Sequence, residues 1–208
     1  MYANFYFPNL NNTNKLINEF GFDKVGFTSN MAFEKKRSIR NSDLYYGAML
    51  ALPIFHTKKD IRFSLDNGEI ADRVLEYSTI IMGLTFDKRF TLYDKLEAFT
   101  GVTCGLAYHE MNLSQILYGY SWDIQTNEKH ENFSYRYILN NWYFQPRLML
   151  LYQIIEKHHI RFEVGYIIDF LNNTEWKMRN GHLLYPIQQA PKTDINGLTF
   201  NIGWSRSF

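Results

Sequence analysis

Apolar side chains recur at every second position through most of this chain, and that period admits strands and little else. Over 159–170 the apolar set is Ile160, Phe162, Val164, Tyr166, Ile168 and Phe170, set against His159, Arg161, Glu163, Gly165, Ile167 and Asp169. Over 141–154 it is Trp142, Phe144, Pro146, Leu148, Leu150, Tyr152 and Ile154, opposed by Asn141, Tyr143, Gln145, Arg147, Met149, Leu151 and Gln153. The same reading covers 92–108, 44–54 and 25–33, and the chain closes on Leu198, Phe200, Ile202, Trp204, Arg206 and Phe208 against Gly197, Thr199, Asn201 and Gly203. Segment 74–86 alternates clearly only near its end, and YANFYF at 2–7 reads as a short first strand, which makes eight strands in all.

Connections alternate as regularly as residues do. Segments 35–42, 87–90 and 155–158 are short; about 8–21, 56–73, 110–139 and 171–194 are long. Long loops at one end and short turns at the other describe an all-β, antiparallel up-and-down barrel with both termini at the short-turn end. Within 110–139, SQILYGYSWDI and NFSYRYILNNWYF flank the polar QTNEKHEN, which reads as a hairpin continuing past the barrel wall; two further wall strands, making ten, are the alternative.

Composition narrows the partners. Twenty-two basic and 21 acidic residues leave a net charge of +1, without the basic excess of a nucleic-acid binder. Aromatic residues are 17% of the chain, a level that strands and membrane interfaces both favour. No apolar run approaches the roughly 20 residues of a helical span. The lone Cys104 can form no internal disulfide and is expected to be an apolar filler. The start, MYANFYFPNLNN, has no basic segment followed by an apolar one, so an exported form is expected to carry its signal peptide outside this sequence.

A soluble lipocalin-like barrel, holding an apolar ligand, turns its apolar face inward and its charges outward. In the last strand the polar set is Gly, Thr, Asn and Ser without a charge, which suits a crowded lumen, and the bulky set suits lipid. Trp204 and Phe208 at one end, with Trp142 and Tyr108 at the other, fall where interfacial aromatic girdles are expected. Arg206 shares the lipid-side parity but lies two residues from the end, where its long side chain reaches headgroups.

A closing strand of alternating bulky residues that ends in Phe resembles the C-terminal assembly signature of bacterial outer-membrane β-barrel proteins, with Leu198, Phe200, Ile202, Trp204 and Phe208 matching and Arg206 departing. The loop pattern resembles the small eight-stranded, porin-like members. The resemblance implies residence in a Gram-negative outer membrane, contact with its lipid and lipopolysaccharide, insertion by the barrel-assembly machinery, and no cofactor. It leaves function open, because that group includes adhesins, structural anchors and lipid-modifying enzymes.

Six charged residues, Lys95, Glu97, Arg147, Arg161, Glu163 and Asp169, have inward parity and are expected to form a polar network that fills the lumen. Catalytic signals are weak. His109-Glu110 begins a zinc-protease pattern that fails at Leu113, and His109 with Ser114 is a base and nucleophile pair for a lipid A or phospholipid-modifying enzyme, the enzymatic alternative. His158-His159 reads as a solvated turn rather than a metal site. In the long loops Tyr118, Tyr120, Trp122, Trp176 and Tyr185 are candidate contacts for a protein or glycan at the cell surface, or else cap the barrel mouth. The expectation is therefore a single non-enzymatic barrel domain that acts through its loops.

Overall fold

The computed structural model describes residues 1–18, 20–55, 57–64, 70–118, 133–170, 175–180, 183–186 and 195–206. Its elements are β1 (Tyr2–Pro8), α1 (Asn11–Asn18), β2 (Thr28–Ser38), β3 (Leu44–Phe55), β4 (Thr57–Ser64), β5 (Ile70–Tyr93), β6 (Leu96–Tyr118), β7 (Phe133–Ile155), β8 (His158–Asp169), β9 (Lys177–Asn180), β10 (Leu183–Pro186) and β11 (Gly197–Arg206). Eight of the strands close a ring by antiparallel pairing, in the order β1-β2-β3-β5-β6-β7-β8-β11 and back to β1. The first and last strands meet residue for residue, from Tyr2 opposite Gly203 to Pro8 opposite Gly197. The Met1 amino group also donates to the Trp204 carbonyl, at 3.1 Å.

The short turns and the described chain ends lie at one end of the ring, as the loop lengths imply. Two turn positions differ from expectation. The β5–β6 turn is Asp94-Lys95 rather than 87–90, and the β2–β3 turn begins only after Ser38. The strands run through DKRF and KKRS because alternation continues there with charged residues on the inward side, which resembles turn chemistry when read locally. Asn41 takes a positive φ of 56° in the turn, a conformation Asn tolerates.

At the other end three strands do not stop with the ring. β5, β6 and β7 each run 23 or 24 residues, and their distal halves carry β4 on one side and β9, then β10, on the other. This wall of strands rises over one side of the ring. The described residues 9–18 and 20–27, including α1, pack against this wall at the open end of the ring. Leu10, Ile17, Phe22 and Val25 are buried there against Leu75, Met111, Leu113 and Trp176 of the wall and its loop.

Side-chain direction around the ring is inverted relative to a water-soluble domain. Leu198, Phe200, Ile202 and Trp204 of β11 point outward and are 45–48% exposed, while Thr199 and Asn201 are buried. Leu50, Leu52, Met82, Leu84, Phe86, Leu148, Leu150, Phe162, Val164 and Tyr166 are exposed in the same way. Phe208 lies outside the described residues.

Candidate functional site

The inward face of β7 shows how the lumen is layered. Reading from the short-turn end it presents Leu151, Met149, Arg147, Gln145, Tyr143, Asn141, Leu139 and Tyr137, all buried. Leu151 and Met149 join Phe99 and Tyr45 in an apolar floor, with the Tyr45 and Phe99 rings edge to face at 5.4 Å.

Above the floor lies a charged layer. Arg147 Nη2 donates to Glu34 Oε1 and Asp87 Oδ2, both at 2.7 Å, and its Nε reaches Asp87 Oδ1 at 3.1 Å. Its Nη1 is 3.5 Å from Glu163 Oε2. Lys36 Nζ lies 2.8 Å from Asp87 and 3.4 Å from Glu34. Arg161 bonds both Glu34 and Glu163, and its guanidinium stacks 3.9 Å from the Tyr2 ring centre. Three cations thus meet three carboxylates supplied by β2, β5, β7 and β8. Gly101 makes room for this layer: a Cβ there would collide with the Asp87 side chain.

An amide and hydroxyl layer follows. Asn201 Nδ2 donates to Glu163 Oε1 and Asn4 Nδ2 to Asn201 Oδ1, each at 2.6 Å. Gln145 Nε2 donates to Thr199 Oγ1 at 2.7 Å. Asn141 Nδ2 donates to Asp169 Oδ2 at 2.6 Å. Nearer the mouth, the Tyr6 hydroxyl donates to the Ile195 carbonyl, and the Tyr77 hydroxyl lies 2.6 Å from His109 Nδ1.

Of the six charged residues expected in the lumen, Arg147, Arg161 and Glu163 form the core of this layer. Asp169 is buried but sits higher, with Asn141. Lys95 is exposed in the β5–β6 turn, outside the network, and Glu97 is at the rim, 3.6 Å from Arg89. Both have the inward parity, but that face has already reached the end of the ring by their level. Glu34, Lys36 and Asp87 complete the network; Lys36 and Asp87 lie in the segments 35–42 and 87–90 that read as turns, and Glu34 continues the polar face of the 25–33 strand. The strict alternation from Thr28 through Lys36, inward at every even position, is the signal that identifies Glu34 and Lys36.

His109 and Ser114 are not brought together. They are on opposite faces of β6, with His109 fully buried under Tyr6 and Tyr77 and Ser114 facing outward on the wall. His158 and His159 likewise point to opposite faces; His158 stacks on Trp204 at 5.1 Å while His159 is buried. Cys104 is partly buried on the outward face of β6.

Among the loop aromatics, Trp176 is not a surface contact. It is wholly buried over the ring mouth, edge to face with Tyr77 at 6.5 Å, and its Nε1 donates to Thr13 Oγ1 of α1 at 2.9 Å. Tyr118 ends β6 and Tyr185 lies on β10, with side chains outside the described residues; Tyr120 and Trp122 are outside them altogether. The indole bond to Thr13 ties α1 to the wall. Thr13→Val leaves a buried N–H unpartnered and is expected to cost about 1–3 kcal/mol of stability, measured as an unfolding midpoint. Thr13→Ser, which keeps the acceptor, is expected to recover most of it.

The outward face of the long strands changes character at one level. Toward the short turns it is apolar: Ile80, Met82, Leu84 and Phe86 on β5, Val102, Cys104, Leu106 and Tyr108 on β6, Trp142 and Phe144 on β7. Beyond that it carries Ser78, Glu76 and Asp72, then Glu110, Asn112 and Ser114, then Asn140 and Arg136, with Ile70, Val74, Ile116 and Ile138 as apolar exceptions. Ser78 pairs with Glu110, and Tyr108 lies between Ile80 and Asn140, so the change runs across adjacent strands. Just past the change, Arg136 Nη2 donates to Glu110 Oε2 at 2.6 Å and the Tyr108 hydroxyl to the same oxygen at 3.1 Å. Arg62 forks onto Asp72 at 2.7 and 2.9 Å.

Comparison with known protein families, with curated proteins and with solved structures found no match for this chain. The functional reading therefore rests on the geometry alone.

Proposed function

We propose that the protein is an integral outer-membrane β-barrel with a filled lumen, non-enzymatic, which acts through its projecting wall and loops in surface binding or adhesion, or as a component of a membrane assembly. The observation that carries this reading is the inverted ring: apolar side chains outward, buried ion pairs inward, and an abrupt apolar-to-polar change on the outer face. A water-exposed protein gains nothing from such a belt and risks association through it. In hydrocarbon the same belt is solvated by acyl chains, and each of the eight ring strands is paired with a neighbour on both sides.

The belt has the right height. From Trp142 to Tyr152 on β7 is about 34 Å along the strand at the usual rise, which is about 26 Å along a bilayer normal at a 40° tilt. That matches the roughly 25 Å apolar band of transmembrane barrels, with aromatic residues at both borders. The polar wall beyond Trp142 then stands in water outside the cell, where a partner can reach it.

A soluble barrel holding an apolar ligand needs the opposite polarity, and no observation favours it. A lipid-modifying enzyme needs an accessible nucleophile and base at the mouth, and His109 is covered. The reading is tested by extraction and electrophoresis. The protein is expected to stay in solution only with detergent, and its unboiled form to migrate apart from the boiled one. A chain fully soluble and monodisperse without detergent would sink the proposal.

A further inference from the structure

The short-turn end of the belt is not uniformly apolar. On the outward face of β2 the order is Phe33, Lys35, Arg37, and on β5 it is Phe86, Lys88, Phe90, with Leu44 and Tyr46 of β3 between them. Lys35, Arg37 and Lys88 are all exposed. The two outer strands stand about 10 Å apart, two strand spacings. Among the described residues no acidic residue shares the short-turn end of this outward face; Asp72 and Glu76 of β5 lie at its far end. The nearest carboxylates at this rim are otherwise engaged: Asp43 is 2.9 Å from Arg89, Glu97 is 3.6 Å from the same guanidinium, and Asp87 is buried with Arg147. Among the described residues none of the three cations has an ion pair, and Lys88 has only the Phe90 ring, 5.3 Å from its Nζ.

Arg37 and Lys88 on the border of the apolar belt, with Lys35 inside it at the level of Ala48 and Leu84, lie among Tyr46 and Phe90 and have one kind of complement. It must offer phosphate at the level of the border and hydrocarbon immediately beside it. We propose that this face of β2, β3 and β5 binds the phosphate headgroups of anionic phospholipid in the leaflet at the short-turn end, with the long side chains reaching from the apolar belt to the headgroup level. The proposal rests on the membrane reading above and adds a lipid preference to it. Such a patch orients the barrel in the bilayer and retains a particular class of lipid around β2–β5.

The test uses the full chain in nanodiscs made from a mixture of phosphatidylcholine and phosphatidylglycerol, followed by mild detergent extraction and quantification of retained lipid by native mass spectrometry. Phosphatidylglycerol is expected to be enriched over its share of the mixture. K35Q, R37Q and K88Q are each expected to lower the enrichment about fivefold, as for a basic residue near an anionic surface. K58Q and R62Q, on the polar wall, are expected to leave it unchanged. The heat-dependent gel shift reports that each variant still folds. Excess inorganic phosphate is expected not to displace the lipid; displacement would instead identify a free-anion site and overturn the proposal. Incorporation without enrichment, or enrichment untouched in K35Q, R37Q and K88Q alike, also overturns it while leaving the membrane reading intact. Failure to enter the discs at all overturns both.

Discussion

Arg147→Ala is expected to lower folding stability by about 3–5 kcal/mol, the cost of breaking a buried ion cluster from one side. The guanidinium is 1% exposed and holds Glu34 and Asp87 at 2.7 Å, with Glu163 at 3.5 Å. Removing it leaves three carboxylates facing two cations, Lys36 and Arg161, inside a lumen sealed by Phe99, Met149 and Leu151. The loss is expected in urea unfolding followed by tryptophan fluorescence, and in a lower temperature for the electrophoretic shift. Arg62→Ala is the matched comparison: its fork onto Asp72 is geometrically as good, but the arginine side chain is 68% exposed, and exposed pairs contribute about 0–1 kcal/mol. Equal losses in the two variants would show that the lumen layer is as wet as the surface.

That layer also marks where the sequence was legible and where it was not. Alternation fixed the inward or outward direction of β11, β8 and β7 residue by residue, because a one-residue slip would expose Arg161 and Glu163 and bury Phe162 and Val164. It did not extend to Lys36 and Asp87, because a charge at an inward position looks like a turn when its cross-lumen partner is 51 or 60 residues away. Loop length gave the polarity of the ring, but not the contents of the loops. Segment 56–73 supplies β4, and 171–194 supplies β9 and β10, as short strands whose pairing with the extended β5 and β7 is a tertiary fact. Trp176 read as a loop aromatic. Its burial depends on α1 packing against the wall, and no local pattern in 8–27 announces that contact.

The outer face gives the sharpest separation between a membrane protein and a soluble one. Leu84→Arg is expected to cost about 2–4 kcal/mol, the range for a cation on the lipid side of a barrel at the bilayer midplane. Leu84 lies on β5 between Ile80, where the outer face becomes polar, and Lys88, where the basic border begins, so it occupies the middle of the belt. It is also 59% exposed. In water, arginine at so open a position would change stability by no more than about 0.5 kcal/mol. Ile116→Arg, on the same strand system but in the polar wall and 49% exposed, is expected to be nearly neutral in either setting. The pair is measured in lipid vesicles by denaturant unfolding, where the difference between the two sites reports depth rather than side-chain chemistry. A Leu84→Arg protein as stable as Ile116→Arg would mean that the belt does not face hydrocarbon. A large penalty at Leu84 alone would mean that burial here is provided by the lipid, and that the exposed leucines and phenylalanines of the ring are its true core.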